Sequence, residues 1–174
     1  MLLISSHKKK IFVLNIMIKI NNSKKAPTPV GNYPHSIEIN NMLFMSGIGP
    51  RNNKDDSIPG NVYDKGKLIE YDIEKQCHQV FENIKSILDE SNLSWNNLID
   101  ITVFLTDMKR DFNTFNKIYS AYFAKSNCCR TTVEVNALPT DIAIELKCIA
   151  IMDTKIWYYL RLILKNELKK IENY

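Results

Sequence analysis

Acidic residues are missing from the start of this chain. No Asp or Glu occurs before Glu38, although Lys8, Lys9, Lys10, Lys19, Lys24 and Lys25 do. Much of the formal net charge of +4 therefore comes from the ends of the chain. A nucleic-acid binder concentrates basic charge on the domain itself, so nucleic acid is not an expected partner. Metal-ligand spacing is lacking too. The four cysteines, Cys77, Cys128, Cys129 and Cys148, form no such pattern, and no metal is called for. Cys77 and Cys148 fall at apolar positions, as reduced core thiols in a reducing compartment do. Long apolar runs are scarce as well. Residues 11–20 are apolar but broken by Asn15 and Lys19, too short to span a bilayer, so no membrane association is expected. The run follows a basic cluster, yet no small-residue cleavage site follows it and residues 1–25 contain no Arg. The expectation is a cytoplasmic protein with a disordered or partly helical basic tail at 1–25; organelle targeting through that tail is the alternative.

What is present is the composition of a folded domain, with 45% hydrophobic and 24% charged residues over 174 positions. That length fits one domain with short extensions. The domain is expected at 26–153, entered through Pro27, Pro29 and Gly31. Residues 37–39 and 42–46, separated by Asn40-Asn41, read as a tight hairpin, followed by a polar loop at 51–66 and a short strand at 67–71. Residues 72–92 form the best helix: Ile73, Cys77, Val80, Phe81, Ile84, Ile87 and Leu88 make one apolar stripe, with Asp72 as N-cap. His78 lies beside the stripe and reads as a surface histidine. Residues 99–106 alternate as a half-buried strand with Ile99, Ile101, Val103 and Leu105 inward. A second helix fits 111–123, its aromatics Phe112, Phe115, Tyr119, Tyr122 and Phe123 being core rather than base-stacking groups. Residues 154–174 read as an amphipathic helix.

Two further runs, 130–135 and 143–152, read as neighbouring strands joined by a turn through Asn136, Pro139 and Asp141. Period-two alternation puts Arg130, Thr132 and Glu134 on one face of the first, and Glu145 and Lys147 on one face of the second. The predicted order ββ–α–β–α–ββ is α+β: a mostly antiparallel sheet with two helices on one face. Its bare face is expected to carry Arg130, Thr132, Glu145 and Lys147. The Arg and Glu are either a structural ion pair or the floor of a polar site.

Short motifs then add up. Val30-Gly31-Asn32-Tyr33, Met45-Ser46-Gly47-Ile48-Gly49-Pro50, Asn83-Ile84 and Val103-Phe104-Leu105-Thr106-Asp107 come in order. Phe115-Asn116-Lys117-Ile118-Tyr119, Arg130-Thr131-Thr132-Val133-Glu134-Val135, and Leu138-Pro139 with Ile144-Glu145-Leu146 follow. From about 27 to 152 the chain resembles the reactive-intermediate deaminase family, also called the YjgF or L-PSP endoribonuclease-like family. The resemblance implies a chorismate-mutase-like fold and a homotrimer whose sheets close a barrel, with a site at each subunit interface. The implied reaction is cofactor-free and metal-free hydrolysis of a small carboxylate-bearing imine or enamine, of the 2-iminopropanoate or 2-aminoacrylate type, to an oxo acid and ammonia. By that resemblance Arg130 holds the carboxylate, Glu145 positions the water, and Thr132 stands where many members carry Cys. Tyr33, from the neighbouring chain, and Asn116 shape the pocket, while Gly47, Ile48 and Thr131 orient the substrate. Gly49-Pro50-Arg51 with its long following loop resembles the branch that includes 2-aminomuconate deaminases. Two alternatives stand beside this: a single-stranded RNA endoribonuclease or translation inhibitor, and a non-enzymatic trimer binding carboxylate metabolites.

Overall fold

The computed structural model describes residues 18–124, 126 and 128–152. Residues 1–17 and the expected helix at 154–174 lie outside the described residues.

The chain enters the sheet earlier than expected. Strand β1 (Ile18–Asn21) pairs antiparallel with β2 (Ser36–Ile39), inside the segment expected to be tail. The physical reason is local: Ile18 and Ile20 alternate with Lys19 and Asn21, and both polar side chains reach Glu38 on β2, at 3.0 and 2.7 Å. Strand β3 (Met42–Met45) completes the expected hairpin. Asn40 and Asn41 have φ of 48° and 65°, the left-handed pair that a two-residue turn needs. The loop that follows is not loop throughout, because β4 (Val62–Asp64) pairs with β5 (Lys67–Glu70) in a small separate sheet.

Helix α1 (Ile73–Glu90) starts where Asp72 accepts a hydrogen bond from the Lys75 amide, 3.1 Å away. All seven stripe residues are buried, and Gln76 and Asn83 are buried with them. Strand β6 (Leu98–Leu105) follows a short turn of 3-10 helix. A register shift between Leu98 and Asp100 changes the expected inner row: Leu98 is buried and Ile99 is turned outward. Helix α2 (Met108–Phe123) begins one turn sooner than the apolar pattern shows, because Asp107 caps it through the Arg110 amide. Its aromatics pack inward against α1, with Tyr122 on Phe81 and Phe123 beside Trp95.

The last two strands, β7 (Cys129–Glu134) and β8 (Ile144–Ile151), are not neighbours. The sheet order is β1-β2-β3-β8-β6-β7, with β6 between them: antiparallel to β8 and parallel to β7. Strand β6 has the densest row of buried aliphatics and takes a central place, whereas half-polar β7 takes the edge. This corrects the expected Arg130–Glu145 adjacency, and it also corrects the faces. Residues opposite one another in register share a face. Arg130 lies level with Ile101 and Cys148, and Thr132 level with Val103 and Leu146, so both project to the helix-covered side. Glu145 lies level with Phe104 and Val133, and Lys147 with Thr102 and Thr131, on the bare side.

Candidate functional site

The sequence-predicted residues fall into two groups. The first is built around Glu145. After β3 the chain turns through Gly47, Ile48 and Gly49, and Ile48 exchanges backbone hydrogen bonds of 2.8 and 3.0 Å with Leu146. That pairing lays Gly47 on the Glu145 side chain. A Cβ at Gly47 would stand 2.2 Å from Glu145 Oε1, so no side chain fits there while the carboxyl keeps its position. Glu145, Tyr33, Gly47, Ile48, Arg51 and Thr140 line one cavity. Tyr33 is placed by a tight turn in which its amide donates to the Gly31 carbonyl at 2.9 Å, its ring passing close over Gly31.

The walls of this cavity are pinned by polar groups buried in the core. Asn83 on α1 donates to the carbonyls of Gly49 and Arg51, both at 2.9 Å. Two turns earlier on the same face of α1, Gln76 accepts from the Ala143 amide at 2.8 Å and donates to Asn61, which in turn holds the Asp141 carbonyl. His35 is buried at the rear, accepting at Nδ1 from the Ser23 amide (3.1 Å), so its Nε2–H is the donor to the Pro27 carbonyl (2.9 Å). Ser46 closes the set by donating to the Pro34 carbonyl at 2.6 Å. Burial pushes the Glu145 carboxyl above the ordinary glutamate range, because its ionised form loses hydration there. A half-buried carboxyl at a cavity wall, opposite fixed backbone, can hold a water and exchange its proton.

The second group is built around Arg130 at the edge of the sheet. Its guanidinium lies 4.5 Å from the Tyr119 ring centroid and 5.5 Å from that of Phe115. One Nη1–H donates to the Asn116 side-chain carbonyl at 2.9 Å. The side chain is thus held by one hydrogen bond and two aromatic faces on α2, its other donors remaining for a ligand. Thr132 is next on the same face, and its buried Oγ1 has no hydrogen-bond partner among the described residues. Thr131 points to the opposite, exposed side.

Arg130 and Asn116 are therefore brought together, as are Tyr33, Gly47, Ile48 and Glu145, but one chain does not bring the two groups together. By register Arg130 and Glu145 stand three residues and two strands apart, about 10 Å in each direction, and project from opposite faces. Neither side chain forms a salt bridge among the described residues. The plain ion-pair reading of Arg130 does not hold: Glu134 instead accepts from the Met108 amide at the start of α2, at 2.7 Å. Sequence reasoning missed the roles of Gln76, Asn83, Arg51 and His35. For the first two a signal was available, since polar residues seven apart on the core side of a helix call for buried partners.

The comparisons with known proteins agree with this architecture. The family model described as "Endoribonuclease L-PSP" matches residues 23–152. A RutC family protein of Pyrococcus abyssi is 38% identical over 128 residues, covering 74% of this chain and 92% of that protein. Reactive Intermediate Deaminase A, chloroplastic, of Arabidopsis thaliana is 33% identical over 132 residues, or 76% of this chain and 65% of that one. Among solved structures, E. coli TdcF with bound serine superposes with a TM-score of 0.68 at 30% identity, covering 78% of this chain and 99% of its own.

Proposed function

Since the chain belongs to the Endoribonuclease L-PSP family, the group that includes the reactive intermediate deaminases, we propose that it hydrolyses small imino and enamino acids to oxo acids and ammonia. The site is closed between copies of the chain, the Arg130 group of one meeting the Glu145 group of the next. The observation that carries this reading is the division of the site. Among the described residues, an arginine fork held by Asn116, Tyr119 and Phe115 pairs with no carboxylate, and a half-buried carboxyl beside Gly47 pairs with no cation. Each half holds an unpaired charge that the other can complement around a zwitterionic substrate.

Arg130 grips the substrate carboxylate with its planar fork. Glu145 takes a proton from water as the oxygen attacks the C=N carbon and returns it to the nitrogen of the carbinolamine. The C–N bond then breaks to release ammonia as the hydroxyl gives its proton back to Glu145 and becomes the carbonyl. Thr132 Oγ1, buried and without a partner among the described residues, gains a hydrogen bond from the bound substrate. A protonated imine is already electrophilic, so positioning supplies most of the acceleration. The serine in the E. coli TdcF structure, a small amino acid, is the kind of ligand such a site would accept. A purely binding trimer is the weaker reading, because Glu145 would repel a carboxylate ligand without contributing to its capture.

The test is ammonia release from 2-iminopropanoate generated in situ by an amino-acid oxidase. Acceleration by the protein supports the reaction. A rate equal to that without protein, across imines of several side chains, removes it.

A further inference from the structure

A short turn beside Glu145 is held at both of its ends by one pair of side chains. The Ala143 amide donates to Gln76 Oε1 at 2.8 Å, and Gln76 Nε2 donates to Asn61 Oδ1 at 2.8 Å. Asn61 Nδ2 then returns to the turn, donating to the Asp141 carbonyl at 2.7 Å. The orientation of both side-chain amides is forced, because the chain of bonds starts at a backbone donor and ends at a backbone acceptor. Gln76 and Asn61 thus clamp the backbone on either side of Ile142. The Ala143 carbonyl is held from elsewhere, accepting from the Thr106 amide at 3.1 Å.

The clamp acts where β8 has least support from its own sheet. Glu145 is the second residue of β8 and pairs with Phe104 on β6. On the β3 side the ladder takes in Ile149, Ala150 and Ile151, and nearer Glu145 its place is taken by the Ile48–Leu146 bridge. The clamped Ile142 also reaches the cavity wall: a Cβ at Gly49 would stand 2.9 Å from its Cδ1. That wall continues through Ile48 to Gly47, which lies on the Glu145 carboxyl. The second hydrogen of Asn61 Nδ2 goes to the Tyr63 hydroxyl, 3.1 Å away on β4. Tyr63 is 48% exposed, and among the described residues β4 and β5 form no ladder with the main sheet. The hairpin is seated on α1 at Gly60, whose φ is 81° and where a Cβ would stand 2.4 Å from Asp72 Cβ.

We infer that the β4–β5 hairpin belongs to the reaction site: Asn61 and Gln76 are positioning residues that set Glu145 through 141–143, and Tyr63 ties the hairpin to them. This rests on the proposed reaction for the role of Glu145. Asn61 and Gln76 carry no charge, so they act on the carboxyl by place alone. The charged and titratable groups around Glu145 are Arg51, His35 and Tyr33 in its cavity and Lys147 on the same face of β8. Substitutions in the clamp leave all four as they are.

The test follows the Glu145 carboxyl itself, by carbon-13 NMR titration of the intact protein labelled at glutamate Cδ. Its resonance is the one lost in Glu145→Gln. Asn61→Ala and Gln76→Ala should each lower its titration midpoint by about half a pH unit or more, as a displaced carboxyl regains water. Tyr63→Phe should move it the same way by less. The acidic limb of the kcat/KM profile for 2-iminopropanoate should follow, since Glu145 acts as the base. Tyr71→Phe, which loosens the fold elsewhere, should lower Tm and leave the midpoint in place. An Asn61→Ala variant with a lowered Tm and the wild-type Glu145 titration overturns the inference, for that marks a structural pin. So does an equal shift in Tyr71→Phe, and an unmoved midpoint in Tyr63→Phe removes the hairpin from the site. Gln76 is wholly buried, so Asn61→Ala carries the decision if Gln76→Ala does not fold. The titration does not depend on turnover. A shifted midpoint without ammonia release from any imine keeps the positioning and removes the reaction.

Discussion

At the scale of single residues the two halves of the site respond differently to substitution. Arg130→Lys keeps the charge but loses the fork and the flat stacking on Tyr119, so a carboxylate held by two hydrogen bonds is held by one. A lost charge-assisted bond of roughly 1.5–3 kcal/mol corresponds to a fall in kcat/KM of about ten- to a hundredfold or more. Steady-state kinetics on 2-iminopropanoate reads this directly, and full retained turnover would remove Arg130 from the site. Glu145→Gln should do the opposite to stability and to rate. The carboxyl is raised by burial, so the folded state binds its proton more tightly than the unfolded chain. Its ionisation then penalises the fold as pH rises from the ordinary glutamate value towards the raised one, and fully above it. Removing the charge should raise Tm at neutral pH, leave it nearly unchanged at pH 4, and cut kcat by about 10²-fold or more as the water loses its base. A Tm difference that is the same at both pH values would contradict the burial argument. Thr132→Cys places a similar volume on the same face and should be tolerated in both kinetics and melting.

At the scale of elements, the site depends on α1 more than on the strands that carry the reacting groups. Asn83 ties two carbonyls of the Gly49–Arg51 turn to the helix, and its truncation leaves both half-buried acceptors without that donor. Asn83→Ala should cost about 2–4 kcal/mol of stability and raise KM more than it lowers kcat, because the cavity wall moves while Glu145 stays on β8. Denaturant unfolding together with initial-rate kinetics separates those effects. The start of α2 gives a control remote from the cavity. Tyr71 donates to the buried Asp111 Oδ2 at 2.7 Å, while Oδ1 has no hydrogen-bond partner among the described residues and faces the Arg110 Nε at 3.5 Å. Tyr71→Phe should destabilise the fold by about 1–3 kcal/mol with kcat/KM unchanged. The elements themselves were legible in the sequence, because α1, α2, the Asn40-Asn41 hairpin and β6 each carry a local period or cap. Their lateral order was not. Strands 130–135 and 143–152 read as a hairpin, and only the ladder shows β6 between them. That insertion also hid the site's division, since alternation fixes the faces of one strand relative to itself and not to another. Gln76 and Asn83 stood in plain view within the helix, but their loop partners are remote in sequence.

At the scale of the whole molecule, the sheet has one side too many for a single chain. Helices α1 and α2 cover the face of Leu43, Ile101, Leu146 and Cys148, all of them buried. The other face runs from Ile18 and Ile20 on β1 through Phe44 on β3 and Ile149 on β8 to Val133 on β7. Ile20 is 65% exposed and Phe44 is 37% exposed. An apolar band crossing a whole sheet is what an assembly interface looks like before assembly. The proposed homotrimer places this face inside a closed ring and brings the Arg130 edge of one copy to the Glu145 cavity of the next. The purified protein should therefore run in light scattering at about three times its chain mass of 20.2 kDa. Phe44→Asp should leave each chain folded, because the core lies on the other face, while dispersing the assembly and abolishing turnover together. Mixing that variant with wild type under exchange conditions should poison activity in proportion to the mixed rings formed. A wild-type monomer at micromolar concentration that still releases ammonia would show that one chain completes the site, and the division of Arg130 from Glu145 would then need another explanation.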